Sequence, residues 1–147
     1  MAIGILLRQA LMRRVANWPS RLAALVEEVR LRPFAWGKHD CCLWAASAVE
    51  AITSMDPAID LRGTYRSAKS ALAILESLGG LEAVGAWCGP EIEVAFASIG
   101  DIGLVMWPDG TRSLAVSAGH SWMCAGETGL VNLPLQTASH AWGVGRE

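Results

Sequence analysis

Two textures divide this chain. Up to about residue 87 its apolar positions recur at helical spacing; from residue 102 they come in short runs split by turn residues. Leu6, Leu7, Ala10, Leu11 and Val15 share one side of a helix expected over 4–16, with Arg8, Arg13 and Arg14 on the other. Ser20 is placed to cap a second helix. Leu22, Leu25, Val26 and Val29 follow the i, i+3, i+4, i+7 pattern, and Pro33 bars continuation. A third helix is expected from Cys41 to about Ser54, with Cys42, Ala45, Ala46, Val49 and Ile52 as its inner stripe. Ser67 caps a fourth, with Ala68, Ala71, Leu72 and Leu75 facing inward and Gly79-Gly80 ending it. A short helix from Leu81 to Trp87 follows.

Ile102–Trp107 reads as a strand and Pro108-Asp109-Gly110 as a turn. Ser113–Ala118, Trp122–Ala125 and Leu130–Leu133 read as further strands, with His140–Val144 as a last one. Helices first and an antiparallel meander after describe an α+β domain, its N-terminal helices packed on a C-terminal sheet or small barrel. Residues 1–17, ahead of Trp18-Pro19, form an N-terminal extension, which is either an ordinary packed helix or a docking arm. The main domain then spans 18–147.

With 147 residues, 52% hydrophobic and 18% charged, the chain has the material for one domain with a true core. A net charge of −2 lacks the basic excess that a nucleic-acid footprint needs. Seven tryptophans are many for this length, and a surplus at the surface would fit a protein docked to others. Cys41, Cys42, Cys88 and Cys124 show no Cys-x-x-Cys spacing and no nearby His pair, so neither a metal site nor a cofactor is expected. Reduced thiols made in a cytoplasm are the default. No run approaches the ~20 apolar residues of a membrane span, and no basic region precedes the short apolar start as in a secretory signal.

The chemistry concentrates in Phe34-Ala35-Trp36-Gly37-Lys38-His39-Asp40-Cys41. A cysteine opening a helix sits at the positive end of the helix dipole, where its thiolate is stabilised. Cys42 lies ~100° round the helix and points elsewhere, into the core. A nucleophilic cysteine also needs a base within reach and a group to orient that base.

The order aromatic-x-Trp-Gly, Asp-Cys opening a helix, then Gly-Asp starting a strand and a meander, resembles the NlpC-type papain-like cysteine peptidases. The resemblance is closer to a branch carried by tailed phages and prophages. It rests on Trp36 to Cys41, on Arg62-Gly63-Thr64-Tyr65-Arg66 and on Gly100-Asp101. The resemblance implies a papain-like fold from Trp18 onward, with Cys41 at the nucleophile position and Trp36, Gly37, Asp40 and Asp101 supporting it. It also implies a His at the start of the next strand. Ser113 stands there instead, and Cys124 falls where the third polar residue belongs. A Ser hydroxyl does not accept a proton near neutral pH and cannot serve as general base. His39 and His140 are the candidate substitute bases; His120 reads as a turn residue. Arg62, Arg66 and Asp60 flank Tyr65 and are expected to brace the loop between the third and fourth helices.

What the resemblance implies is a tail-tip or baseplate virion protein on a papain-like scaffold with degraded catalytic machinery, docked on hub or distal tail proteins. The alternatives are an active tail-associated peptidoglycan endopeptidase aiding genome entry, with the cell wall as its partner, and a tail assembly factor. The expected location is the virion tail tip, after synthesis in the host cytoplasm.

Overall fold

The computed structural model describes residues 2–146, and side chains from Leu7 onward. Five helices precede most of the sheet: α1 (Ala2–Leu11), α2 (Trp18–Val29), α3 (Cys41–Thr53), α4 (Ala68–Leu78) and α5 (Leu81–Cys88). The strands are β1 (Glu91–Ile92), β2 (Ile102–Met106), β3 (Arg112–Ser117), β4 (Trp122–Gly126), β5 (Gly129–Leu133) and β6 (Ala138–Trp142). They form one antiparallel sheet in the order β1-β6-β2-β3-β4-β5. The architecture is α+β, as the two textures predict. β2 to β5 are the meander; β6 crosses back to lie beside β2, and the two-residue edge strand β1 has no counterpart in the sequence pattern.

Helix ends follow local chemistry. Asp40 and Ser67 cap α3 and α4 through side-chain bonds to Leu43 N–H and Ser70 N–H. Gly79, left-handed, ends α4. The expectations for α2 and α4 need correction. α2 begins at Trp18, with Pro19 in its first turn, where the missing N–H costs nothing; Ser20 lies inside the helix and bonds back to the Asn17 carbonyl. On α4, Ala71 is buried and Ile74, Leu75 and Leu78 are half-buried, whereas Leu72 and Ala68 are exposed. The apolar stripe of α4 is wider than the face its neighbours can cover.

α3 lies across β3 and β4, α5 across β2 and β6, and α2 packs on α3. The main core joins Trp44, Val49 and Ile52 of α3 to Ile102, Leu104, Leu114, Val116 and Trp142 of the sheet. The opposite face of the sheet has its own smaller core of Val105, Ala115, Trp122, Cys124, Leu133 and Ala141. Trp122 lies flat over Gly103, where an added Cβ would stand 2.6 Å from the indole. Trp142 presses on Gly85 of α5 in the same way, at 2.4 Å. Tryptophans are therefore mostly core; Trp36 alone is exposed.

The expected helix over 4–16 stops at Leu11. Beyond it the chain is woven into the domain: Met12 is buried, Val15 N–H donates to the Ile52 carbonyl, and Arg14 reaches the strand start at Asp101. Among the described residues no single helix is long and apolar enough to cross a membrane.

Candidate active site

Between α2 and α3 the chain makes a tight loop closed at its base by backbone pairing. Ala35 N–H donates to the His39 carbonyl at 3.0 Å, and His39 N–H returns the bond at 2.8 Å. Gly37, at the loop tip, has φ +78°, and a Cβ there would fall 1.9 Å from the Tyr65 carbonyl oxygen. Only glycine fits.

Asp40 locks this loop to the helix it precedes. Its Oδ1 accepts from Leu43 N–H at 3.0 Å, and Oδ2 accepts from Gly37 N–H at 2.9 Å and from the Tyr65 hydroxyl at 2.6 Å. The side chain is sealed from solvent. Burial, then the bond to Asp40, pushes the Tyr65 phenol above its ordinary range. Tyr65 is a site residue that the sequence reading left as the centre of a braced loop. The brace itself is Arg62, which pairs with Asp56 (Nε to Oδ2, 2.6 Å) and donates to Ser47 Oγ at 3.1 Å. Asp60 pairs instead with Arg8 of α1, at 3.7 Å between exposed groups.

Cys41 is the first residue of α3 and half-buried. A hydrogen bond with the Cys42 side chain lowers its thiol from the ordinary range; burial opposes this, while the backbone of Leu114 and of Cys42 adds to it. Cys42, buried and sharing that bond, is pushed strongly up. Of the two adjacent thiols, Cys41 at the helix end is the one suited to ionise. It opens on a small cleft lined by Trp36, Asp40, Tyr65, Leu61, Ala71 and Leu75, among others. The walls are almost wholly apolar side chains.

The expected partners of Cys41 lie elsewhere. On β3, Leu114 and Val116 face the helices and belong to the main core, and it is the Leu114 backbone that meets the Cys41 sulfur. Ser113 and Ala115 point to the other face of the sheet. There Ser113 Oγ accepts from Trp107 Nε1 at 2.8 Å. Cys124 lies in the same second core, its thiol pushed up to about 12 by burial. Ser113 and Cys124 are thus brought together, but on the side of the sheet away from α3.

Neither His39 nor His140 hydrogen-bonds the Cys41 thiol in this structure. His140 stands opposite Leu104, which in turn stands opposite Leu114. Two strand spacings of ~4.8 Å put it roughly 10 Å from Leu114, beyond the ~3 Å reach of a base. It bonds Ser139 Oγ through Nδ1 at 2.8 Å and stacks on Trp142. His39 packs edge-on to Trp44, with Nε2 buried and unpartnered. His120 is exposed in the turn between β3 and β4.

Asp101 is wholly buried at the start of β2. Oδ1 accepts from Arg14 at 3.0 Å and from Val144 N–H at 3.0 Å. Oδ2 accepts from Ser98 N–H at 2.9 Å and pairs with Arg146 at 2.9 Å. Its role is to tie both ends of the chain to the sheet. Gly100 beside it, at φ +92°, makes the bend that turns the carboxylate inward.

A family model described as a domain of unknown function (DUF6950) matches residues 13–144. The chain belongs to that family. Within its DUF6950 domain fall the 35–40 loop, Cys41, Tyr65 and Asp101 with its partners Arg14, Ser98 and Val144; α1 and Arg146 lie outside the match. No curated protein and no solved structure matches the chain.

Proposed function

We propose that this protein is a structural component of a phage tail tip or baseplate, built on a papain-like scaffold that no longer carries peptidase chemistry. The observation that supports it best is on β3. The residue facing the Cys41 layer is Leu114, an apolar side chain with no proton to exchange, while Ser113 faces the second core. A thiolate at a helix end, without a base and an orienter, keeps its nucleophile and loses general-base catalysis, typically worth 10²–10⁴-fold. The tail assignment rests on the resemblance carried by Trp36 to Cys41, Arg62 to Arg66 and Gly100-Asp101. The buried Asp40–Tyr65–Gly37 network accounts for two of those segments as structure alone.

A second reading, an active peptidoglycan endopeptidase, draws on the lowered Cys41 thiol at the mouth of a cleft. Incubation of the protein and of Cys41→Ala with peptidoglycan separates the two. The structural reading expects no muropeptide release from either; release by the parent and not by Cys41→Ala would establish the enzyme. Mass spectrometry of purified particles tests the location. Presence in the particle supports a tail component, and presence in the lysate but not in the particle makes it an assembly factor.

A further inference from the structure

His39 belongs to the Trp36-to-Cys41 segment, yet neither the cleft nor the thiol uses it. The residue is buried. The ring packs against Trp44 of α3, with centroids 6.2 Å apart, and Nε2 is sealed with no hydrogen-bond partner. The charged groups acting on it are Arg32, in the segment after α2, and Asp40, the cap of α3. Both carboxylate oxygens of Asp40 are already engaged by Leu43 N–H, Gly37 N–H and the Tyr65 hydroxyl.

A neutral imidazole tolerates this seat, because the tautomer with its proton on Nδ1 leaves only a lone pair at Nε2. A protonated ring carries N–H on both nitrogens, so the sealed Nε2 must then hold a donor that has no acceptor. The same loop that holds His39 carries Trp36 and Asp40, which border the Cys41 cleft.

We propose that His39 is an acid-released latch: the 35–40 loop stays closed over Cys41 while the imidazole is neutral and swings away when the imidazole is protonated. The ligand of the switch is the proton, and its output is exposure of the Cys41 thiol and the apolar cleft. This goes beyond the tail reading and holds or fails independently of it.

The sign follows from burial, which is the largest influence on His39, with the Arg32 charge next; both hold its pKa below the ordinary value of about 6.5. The open loop therefore binds a proton more tightly than the closed one. The closed form is favoured above about pH 6.5 and loses ground as pH falls through that value.

The test is the rate at which 4,4′-dithiodipyridine labels Cys41 between pH 7.5 and pH 5, a reagent chosen because it reacts with thiols in acid. Cys41→Ala supplies the background from the other cysteines. The expected result is a rise in Cys41 labelling of about tenfold on acidification, with His39→Gln, neutral throughout, showing less than about a third of that rise. Equal pH profiles for the parent and His39→Gln overturn the latch. An NMR titration of the His39 ring in the parent protein needs no variant. A midpoint at or above that of exposed His120 overturns it as well, and a lower midpoint supports it.

Discussion

Replacement of Asp40 by alanine removes more than a helix cap. The carboxylate accepts from Leu43 N–H, Gly37 N–H and the Tyr65 hydroxyl, and all three bonds lie in a buried region. Loss of an N-cap side chain costs about 1 kcal/mol. Each buried donor left without an acceptor costs about 1–3 kcal/mol, and Gly37 N–H and Tyr65 O–H become two of these. Asp40→Ala is therefore expected to destabilise the domain by roughly 3–7 kcal/mol, or about 10–23 °C in Tm at this chain length. Tyr65→Phe removes one bond and leaves Asp40 its two backbone donors, so its cost should be about 1–2 kcal/mol. Urea unfolding followed by tryptophan fluorescence gives both values. The two variants must also differ at the site, since Asp40→Ala frees the Gly37 turn and should speed alkylation of Cys41, while Tyr65→Phe should do so less. A cost for Asp40→Ala below about 1 kcal/mol, or one no larger than that of Tyr65→Phe, would refute the network as described.

Three other outcomes follow from the packing. Asp101→Ala strands Arg14 and leaves Val144 N–H and Ser98 N–H unpaired, and should cost about 3–5 kcal/mol, with loss of hydrogen-exchange protection first at Val144. Gly103→Ala drives a methyl into the Trp122 indole at 2.6 Å and should cost about 1–3 kcal/mol in a thermal melt, with a shift in tryptophan emission. Tyr65 is the single tyrosine of the chain, so the tyrosinate difference band that grows in on alkaline titration reports on it, above a constant tryptophan background. Its raised phenol contributes stability that is fully present below the ordinary value of about 10 and is lost as pH rises above it, so tyrosinate should form only as the protein unfolds in alkali, and tyrosinate in the folded state would contradict its burial.

Much of the architecture was legible because it is local. Asp40 before an apolar stripe, Ser67 before another and Gly79 after it are signals that act within one turn of helix, and α3 and α4 begin and end where they indicate. α4's inward face was not legible, since Leu72 and Leu75 satisfy the same spacing and only the neighbouring helices decide which is covered. Nor was the role of Tyr65, whose partner Asp40 is distant in sequence and is met only through the folded loop.

The sequence by itself determined that Cys41 opens a helix and that β3 passes through residues 113–117. It did not determine which residues of β3 look at the thiol. Side chains alternate between the faces of a strand, so a one-residue difference in register exchanges Ser113 for Leu114. Tertiary packing chose Leu114 and Val116 for the helix face, because the main core takes the larger apolar side chains, and left Ser113 to the indole of Trp107. That parity decides whether Cys41 has a polar neighbour on the sheet, and it exists only once α3 is laid across β3.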